Sequence, residues 1–154
     1  MNDQDEILNG LMQSKKRISP KFLYDERGSE IFEQICELEE YYPAHAEHEI
    51  LKRNALKMAE VIGNDVILIE PGCGNCIKVQ YLLNTLKTPT AYVALDISKS
   101  FLLKTARSLQ VKFPAIPILK RFLIPSGLNF VKITSGKRVY FTPSTIGYAD
   151  IFRP

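Results

Sequence analysis

The sequence predicts an α/β fold built on a parallel, doubly wound sheet that follows a helical lead. Three observations predict it. Up to Asn64 the apolar residues recur only at helical spacings. From Val66 onward, short continuous apolar runs (Val66–Ile69 and Tyr92–Leu95) alternate with amphipathic helical stretches. Such runs suit strands buried on both faces, and strand–helix–strand–helix–strand order requires a parallel sheet. Finally, Glu70-Pro71-Gly72-Cys73-Gly74-Asn75-Cys76 joins the first run to the next helix through a glycine turn. Ligands of open parallel sheets sit outside the carboxyl ends of the strands, where such turns lie.

Each element has its own signal. Residues 4–13 read as a short helix and Lys15 to Pro20 as a basic linker. Gly28 to Glu40 places Ile31, Phe32, Ile35 and Leu38 on one helical face, with Ser29 as its start. Tyr41-Tyr42-Pro43 should break that helix, because proline cannot continue one and disfavours α geometry in the residue before it. Ala44 to Ile62 is the next helix, with Ile50, Leu51, Met58, Val61 and Ile62 as its apolar set and Gly63-Asn64 as its stop. After the strand at Val66–Ile69, Cys76 to Leu86 is helical through Ile77, Val79, Leu82, Leu83 and Leu86. The strand Tyr92–Leu95 closes on Asp96, and Ser98 caps a helix running through Val111. A third strand starts within Pro114–Leu119 and a fourth spans Arg138–Phe141. Residues 119–137 show no helical pattern, although consecutive parallel strands need a crossover. The chain reaches Pro154 soon after the fourth strand, which is abrupt for a sheet of this type.

Composition narrows the class. A chain of 154 residues with 45% hydrophobic and 24% charged residues suits one soluble globular domain with a real core. The net charge of +3 does not argue for a nucleic-acid partner. The charges are unevenly spread, with 15 acidic and 8 basic residues through Glu70 and 2 acidic and 12 basic from Pro71 on. A basic second half suits a phosphate or carboxylate ligand, or a complementary surface elsewhere. Three cysteines (Cys36, Cys73 and Cys76) and an acidic N-terminus point to a reducing compartment, with no disulfide framework and no leader. No apolar run approaches the roughly 18 residues of a membrane span. A cytoplasmic protein without a membrane partner is the expectation.

Two chemistries compete for the glycine turn. Gly72 and Gly74 would let the backbone approach a ligand, and the following helix offers free N–H groups. Asp96, at the end of the second strand, could accept hydrogen bonds from ribose hydroxyls. The third glycine of the dinucleotide fingerprint is missing, and Glu70-x-Gly72-x-Gly74 instead resembles the first motif of S-adenosylmethionine-dependent methyltransferases. The rival is Cys73-Gly74-Asn75-Cys76 as a dithiol, whose thiolate a helix N-terminus would favour and the nearby Glu70 would disfavour. One cysteine pair is too few for a zinc site. The remaining reading makes both cysteines small apolar residues tucked into the turn. His45, His48 and Glu49 share a helix face without a further convergent group, so no metal site is assigned. Lys78 either reaches a cofactor carboxylate or is an ordinary helix lysine. Tyr24, Tyr41 and Tyr42 suit a substrate-pocket lid or plain packing. No nucleophile and base can be assembled, so the catalytic residue stays unknown.

Longer motifs extend this reading. Pro20-Lys21-Phe22-Leu23-Tyr24-Asp25-Glu26-Arg27-Gly28-Ser29-Glu30-Ile31-Phe32 is similar to the opening motif of the histidine-specific methyltransferase family. That family contains the L-histidine Nα-methyltransferases of ergothioneine biosynthesis and has relatives fused to ovothiol synthases. The similarity continues in Leu38–Glu47, Leu68–Gly74, Lys78, Val93–Ser98 and Arg138–Gly147. The resemblance implies an incomplete Rossmann-like methyltransferase sheet with a helical N-terminal extension. Residues 1–63 would be the helical substrate-lid region and 64–154 the partial cofactor-binding domain. It implies S-adenosylmethionine at Gly72, Lys78 and Asp96, with Lys78 at the methionyl carboxylate and Asp96 at the ribose; the glycine-turn motif adds Glu70 and Gly74 to the expected cofactor edge. It implies a small histidine-like amino acid at Tyr42; Tyr24, from the lid reading, is the other substrate candidate.

The departures are specific. Where the family carries an acidic–aromatic pair after its third strand, this chain has Arg121-Phe122; where it carries a substrate asparagine, this chain has Tyr148. One residue of the preceding loop is lost, and the family chain is much longer. The expectation is a truncated N-methyltransferase with reduced or no activity. The alternatives are a cofactor-binding or interaction module, completed by a partner chain as half of a split enzyme, and a Cys-x-x-Cys redox protein.

Overall fold

Val66 to Tyr140 build four parallel strands in the order β3-β2-β1-β4, and the computed structural model describes residues 2–122 and 136–143. The strands are β1 (Val66–Pro71), β2 (Pro89–Asp96), β3 (Ile118–Phe122) and β4 (Lys137–Tyr140). The helices are α1 (Asp3–Met12), α2 (Glu26–Cys36), α3 (Tyr42–Ile62), α4 (Val79–Leu83) and α5 (Lys99–Lys112), with a 3-10 turn at Pro20–Leu23. β1 is central, paired with β2 from Ile67 opposite Ala91 and with β4 from Val66 opposite Lys137. After β3 the chain returns to the far side of β1, so the strand order reverses between β1 and β4. The carboxyl ends of the strands beside such a reversal form the ligand crevice of open α/β sheets.

The period-two alternation of strand side chains sorts the core into two faces. Val66, Leu68, Tyr92 and Ala94 pack with Leu51 and Ala59 of α3, Val79, Leu82 and Leu83 of α4, and Leu102, Ala106 and Leu109 of α5. Ile67, Ile69, Ala91, Val93 and Leu95 form the opposite buried face, joined by Ile97. Burial on both faces is why these strands read as unbroken apolar runs.

Helix boundaries differ from the sequence expectation for local reasons. α1 begins with a reciprocal cap, the Asp5 amide donating to Asn2 Oδ1 at 2.8 Å and the Asn2 amide to Asp5 Oδ2 at 3.4 Å. α2 starts after Asp25 and not at Ser29, because the Asp25 carboxylate accepts the Gly28 amide at 2.7 Å. A Cβ on Gly28 would lie 1.8 Å from the Leu23 carbonyl oxygen, so glycine is required by close approach. α2 closes at Cys36, short of Glu40, through the tighter bonds from Glu37 N to Gln34 O and from Leu38 N to Ile35 O. The break between the two helices is present, but α3 begins at Tyr42 and not at Ala44, since Pro43 fits a first helical turn that needs no N–H there. α4 is shorter than Cys76 to Leu86: Cys76 has φ 55°, which no helix accommodates. Ser98 occupies the cap position of α5 without a side-chain capping bond. The expected crossover between β3 and β4 falls on 123–135, and the Ser144–Tyr148 part of the last motif also lies outside the described residues.

Leu82 is fully buried between α4 and the sheet. Leu82→Ala should destabilise the fold by about 2–5 kcal/mol in urea unfolding. A loss below about 1 kcal/mol would show that the α4 face is not packed as described.

Candidate functional site

The end of β1 is shaped by three residues of positive φ: Gly72 (66°), Gly74 (52°) and Cys76 (55°). The turn is stitched to β2. The amides of Gly72 and Cys73 donate to the Leu95 carbonyl at 2.7 and 3.0 Å. The Gly74 amide donates to Asp96 Oδ2 at 3.0 Å, and the Ser98 amide donates to Asp96 Oδ1 at 2.9 Å. Asp96 thus joins the turn to the start of α5. Burial pushes its carboxyl up, against the pull of the Ser98, Gly74 and Ile97 amides. A Cβ on Gly74 would meet no atom within 4 Å, so the outer side of the turn is open and glycine serves its backbone angle.

Glu70 lies beneath the turn. It is 1% exposed and accepts a hydrogen bond from the hydroxyl of Tyr92, itself fully buried. Burial pushes the Glu70 carboxyl well above its usual value and the Tyr92 hydroxyl above its own. The Tyr92 hydroxyl also lies 3.7 Å from Cys76 Sγ. Cys73 and Cys76 are free and belong to the core cluster under the turn. The hydrogen bond between them pushes the Cys73 thiol up, with burial adding to it, and eases ionisation of Cys76. Cys76 is 1% exposed, so the thiol that ionises more easily is closed to a thiol or disulfide from outside the chain. The geometry favours the small-apolar-residue reading of this pair.

Lys78 does not point freely from its helix. Its Nζ lies 2.5 Å from Glu47 Oε2 of α3, and the two side chains are only 23% and 20% exposed. One turn on, His48 Nδ1 and the Tyr81 hydroxyl are 3.3 Å apart, with their rings edge to face. Burial holds His48 below its usual value, with the Lys78 charge acting in the same direction. These contacts clasp α3 onto α4. Tyr42 stands five residues before Glu47, at the first turn of α3, and is 72% exposed. Tyr24 meets Phe32 edge-on at 6.1 Å, and Phe32 meets Tyr41 at 6.0 Å, so these three form an aromatic chain that does not include Tyr42. His45 pairs through Nε2 with the Leu38 carbonyl, and the described residues contain no group of three metal-ligating side chains. An apolar groove of about 540 Å³ between α3 and β4, lined by Met58, Val61, Ile62, Leu82, Val139 and Phe141, includes none of the predicted site residues.

The structure therefore unites Gly72, Gly74 and Asp96, sets Glu70 below them, and ties Lys78 to the helix that carries Tyr42. Sequence reasoning passed over Glu47 and Tyr92. Glu47 lay inside a recognised motif, and Tyr92 was the one hydroxyl in an apolar strand; neither reveals its partner in the linear chain.

A glycine turn after the central strand, bonded to an acidic residue at the end of its neighbour, defines an α/β protein built to take a nucleoside cofactor at the sheet's carboxyl edge. Residues 3–148 match the family described as histidine-specific methyltransferase, SAM-dependent, and the chain belongs to that family. It is 35% identical over 116 residues to the histidine N-alpha-methyltransferase of Mycobacterium tuberculosis, a match covering 73% of this chain and 36% of that protein. It is 40% identical over 93 residues to ergothioneine biosynthesis protein 1 of Neurospora crassa, covering 58% of this chain and 11% of the other. The 4-dimethylallyltryptophan N-methyltransferase easF of Aspergillus fumigatus is 32% identical over 74% of this chain and 32% of its own. A Trypanosoma brucei PRMT1 enzyme-prozyme complex with AdoHcy superposes on 58% of this chain and 29% of that one, with 14% identity and a TM-score of 0.42. The matched stretch is about a third of the length of the mycobacterial relative.

The buried Glu70 makes stability depend on pH. Its folded pKa lies above the usual 4.5, so the folded chain keeps a proton that the unfolded chain releases. Its contribution is full below 4.5 and is lost as pH rises toward the folded pKa. Glu70→Gln should therefore gain thermal stability relative to the parent as pH is raised from 4.5. A difference in melting temperature that stays flat with pH would contradict a buried, titrating Glu70.

Proposed function

We propose that this chain binds S-adenosylmethionine at the glycine turn and serves methyl transfer to the α-amino group of histidine or a histidine-like amino acid. The observation that carries the reading is the Asp96 carboxylate, held by the Gly74 and Ser98 amides beside an open glycine turn. The residues present fit the group. The Asp96 carboxylate is met by the Gly74, Ser98 and Ile97 amides, and a carboxylate has about four acceptor positions, so one remains for a ribose hydroxyl. Gly72 and Gly74 let the ligand approach the backbone, and Lys78 carries the charge that suits a methionyl carboxylate. Glu70 supports the turn from below through Tyr92.

When bound, S-adenosylmethionine supplies an electrophilic methyl group. The chain's part is positioning, which would supply most of the rate for a neutral amine aligned with that methyl. Tyr42 and Tyr24, on the helical region 1–63, would border the amino-acid side, and 64–154 the cofactor side. Arg121, exposed at the end of β3, stands where the family carries an acidic residue. Weakened binding and reduced or absent turnover follow from that replacement and from Tyr148.

The apolar groove supports a second reading, in which a partner chain completes the enzyme. β4 is the edge of the described sheet, and Val61 and Tyr140 beside it are 79% and 54% exposed. Three free cysteines fit a reducing compartment, and we place the protein in the cytoplasm. No helix among the described residues is long and apolar enough to cross a membrane.

Calorimetric titration should give a dissociation constant for S-adenosylmethionine tighter than about 1 mM, weakened at least about tenfold by Asp96→Ala. No heat up to that range removes the reading. Incubation with histidine, read by mass spectrometry, then tests turnover; binding without a methylated product would leave a cofactor-binding module as the function. Light scattering of the isolated chain, with and without the remaining length of the mycobacterial relative, checks the partner reading. A lone monomer under both conditions counts against it.

A further inference from the structure

We propose that Glu47 is a cofactor-binding residue, and that Glu47 and Lys78 act together as a reader of an α-amino-acid zwitterion: Lys78 takes the α-carboxylate and Glu47 the α-ammonium at the methionyl end of the cofactor. The inference deepens the cofactor reading above and rests on it.

The first observation is placement. Lys78 follows Gly74 by four residues, and Glu47 is brought to it from 31 residues away by the packing of α3 on α4. The pair sits where the helical lead meets the turn, and Tyr42 is on the same helix. The second observation is burial. Both side chains are about four-fifths buried, although they form a charged pair at 2.5 Å. Burying an ion pair costs desolvation that its own attraction often fails to offset, so such a pair is weak evidence of a stabilising role. Leu51, Ala55 and Ala59 already provide α3 with an apolar seam, and His48 with Tyr81 supplies a polar contact one turn on. The third observation is charge geometry. A fixed ammonium beside a fixed carboxylate is complementary, end for end, to a zwitterion. An ammonium has three donors and a carboxylate about four acceptor positions, so the pair can hold a ligand without coming apart. A free phosphate or a simple carboxylate would be met by Lys78 and repelled by Glu47. An α-amino acid is satisfied by both.

Two ligands separate this role from others. S-adenosylhomocysteine carries the zwitterion, and 5′-methylthioadenosine has the same nucleoside without it. The parent chain should bind the first more tightly. Glu47→Gln, which keeps shape and hydrogen bonding but removes the charge, should weaken S-adenosylhomocysteine about tenfold and leave 5′-methylthioadenosine within about twofold. Lys78→Gln should do the same. A second measurement needs no variant: S-adenosylhomocysteine with hydrogen in place of its α-ammonium should bind the parent about tenfold more weakly than the unmodified compound. Equal weakening of both ligands by Glu47→Gln, or none, would make Glu47 a scaffold residue and overturn the proposal. Tighter binding would make it a competitor and overturn it too. A parent that binds 5′-methylthioadenosine as well as S-adenosylhomocysteine sinks the Lys78 assignment and the inference with it, whereas a parent that binds neither sinks the cofactor reading as a whole.

Discussion

The Asp96 carboxylate accepts the Gly74 amide on one oxygen and the Ser98 amide on the other, and the site is organised around that double acceptance. A turn containing three residues of positive φ has little internal bonding, chiefly the Cys76 amide donating to the Cys73 carbonyl at 2.9 Å. Its amides need acceptors, and the neighbouring strand supplies them through the Leu95 carbonyl and Asp96. The pairing of β1 with β2 therefore does more than build a sheet. It sets the height of the turn above the strand ends and the entry of α5 in one step. Desolvation raises the Asp96 carboxyl, and the amides that define the turn oppose that rise.

The layer beneath the turn follows from this constraint. A turn pinned at its rim needs small, close-packed groups below, and Cys73 and Cys76 fill that space at 6% and 1% exposure. Glu70 is the costly member. Its side chain lies on the same face as Val66 and Leu68, so alternation along β1 carries it into the core and away from the open side of the turn. Tyr92 is the donor that makes this tolerable, since a buried carboxyl without a partner would be far more expensive. The acidic residue that looked like a ligand contact in the sequence lies beneath the turn, bonded to Tyr92.

How legible the chain was depends on the range of the interaction involved. The strands were readable, because burial on both faces leaves an unbroken apolar run. The parallel order and the place of the glycine turn followed from alternation with helices. Helix ends were less so. Ser29 and Asp25 are both good caps, and the choice fell to Asp25 because Gly28 must pass against the Leu23 carbonyl, a contact with no sequence signature. α4 was overestimated because its apolar spacing continues through Cys76, while the turn forces that residue into the left-handed region. At the site, Gly72, Gly74 and Asp96 were legible as a local pattern. Glu47 with Lys78, and Glu70 with Tyr92, were not, because each pair is made by tertiary packing across more than 20 residues.

The Lys78–Glu47 pair also bears on how the two sides of the site could communicate. α3 touches the turn at one end of a continuous helix whose first turn holds Tyr42 and whose later turns are buried in the core at Leu51, Ala55 and Ala59. A helix anchored along that seam cannot move as a whole without opening the core, so adjustment at Lys78 must be absorbed in its first two turns. Those turns carry the exposed Tyr42, bury Ala44, and are held to α4 through Glu47 and His48. A ligand that changed the geometry of the ion pair would therefore act first on the segment nearest Tyr42. That asymmetry follows from the uneven distribution of buried contacts along one helix.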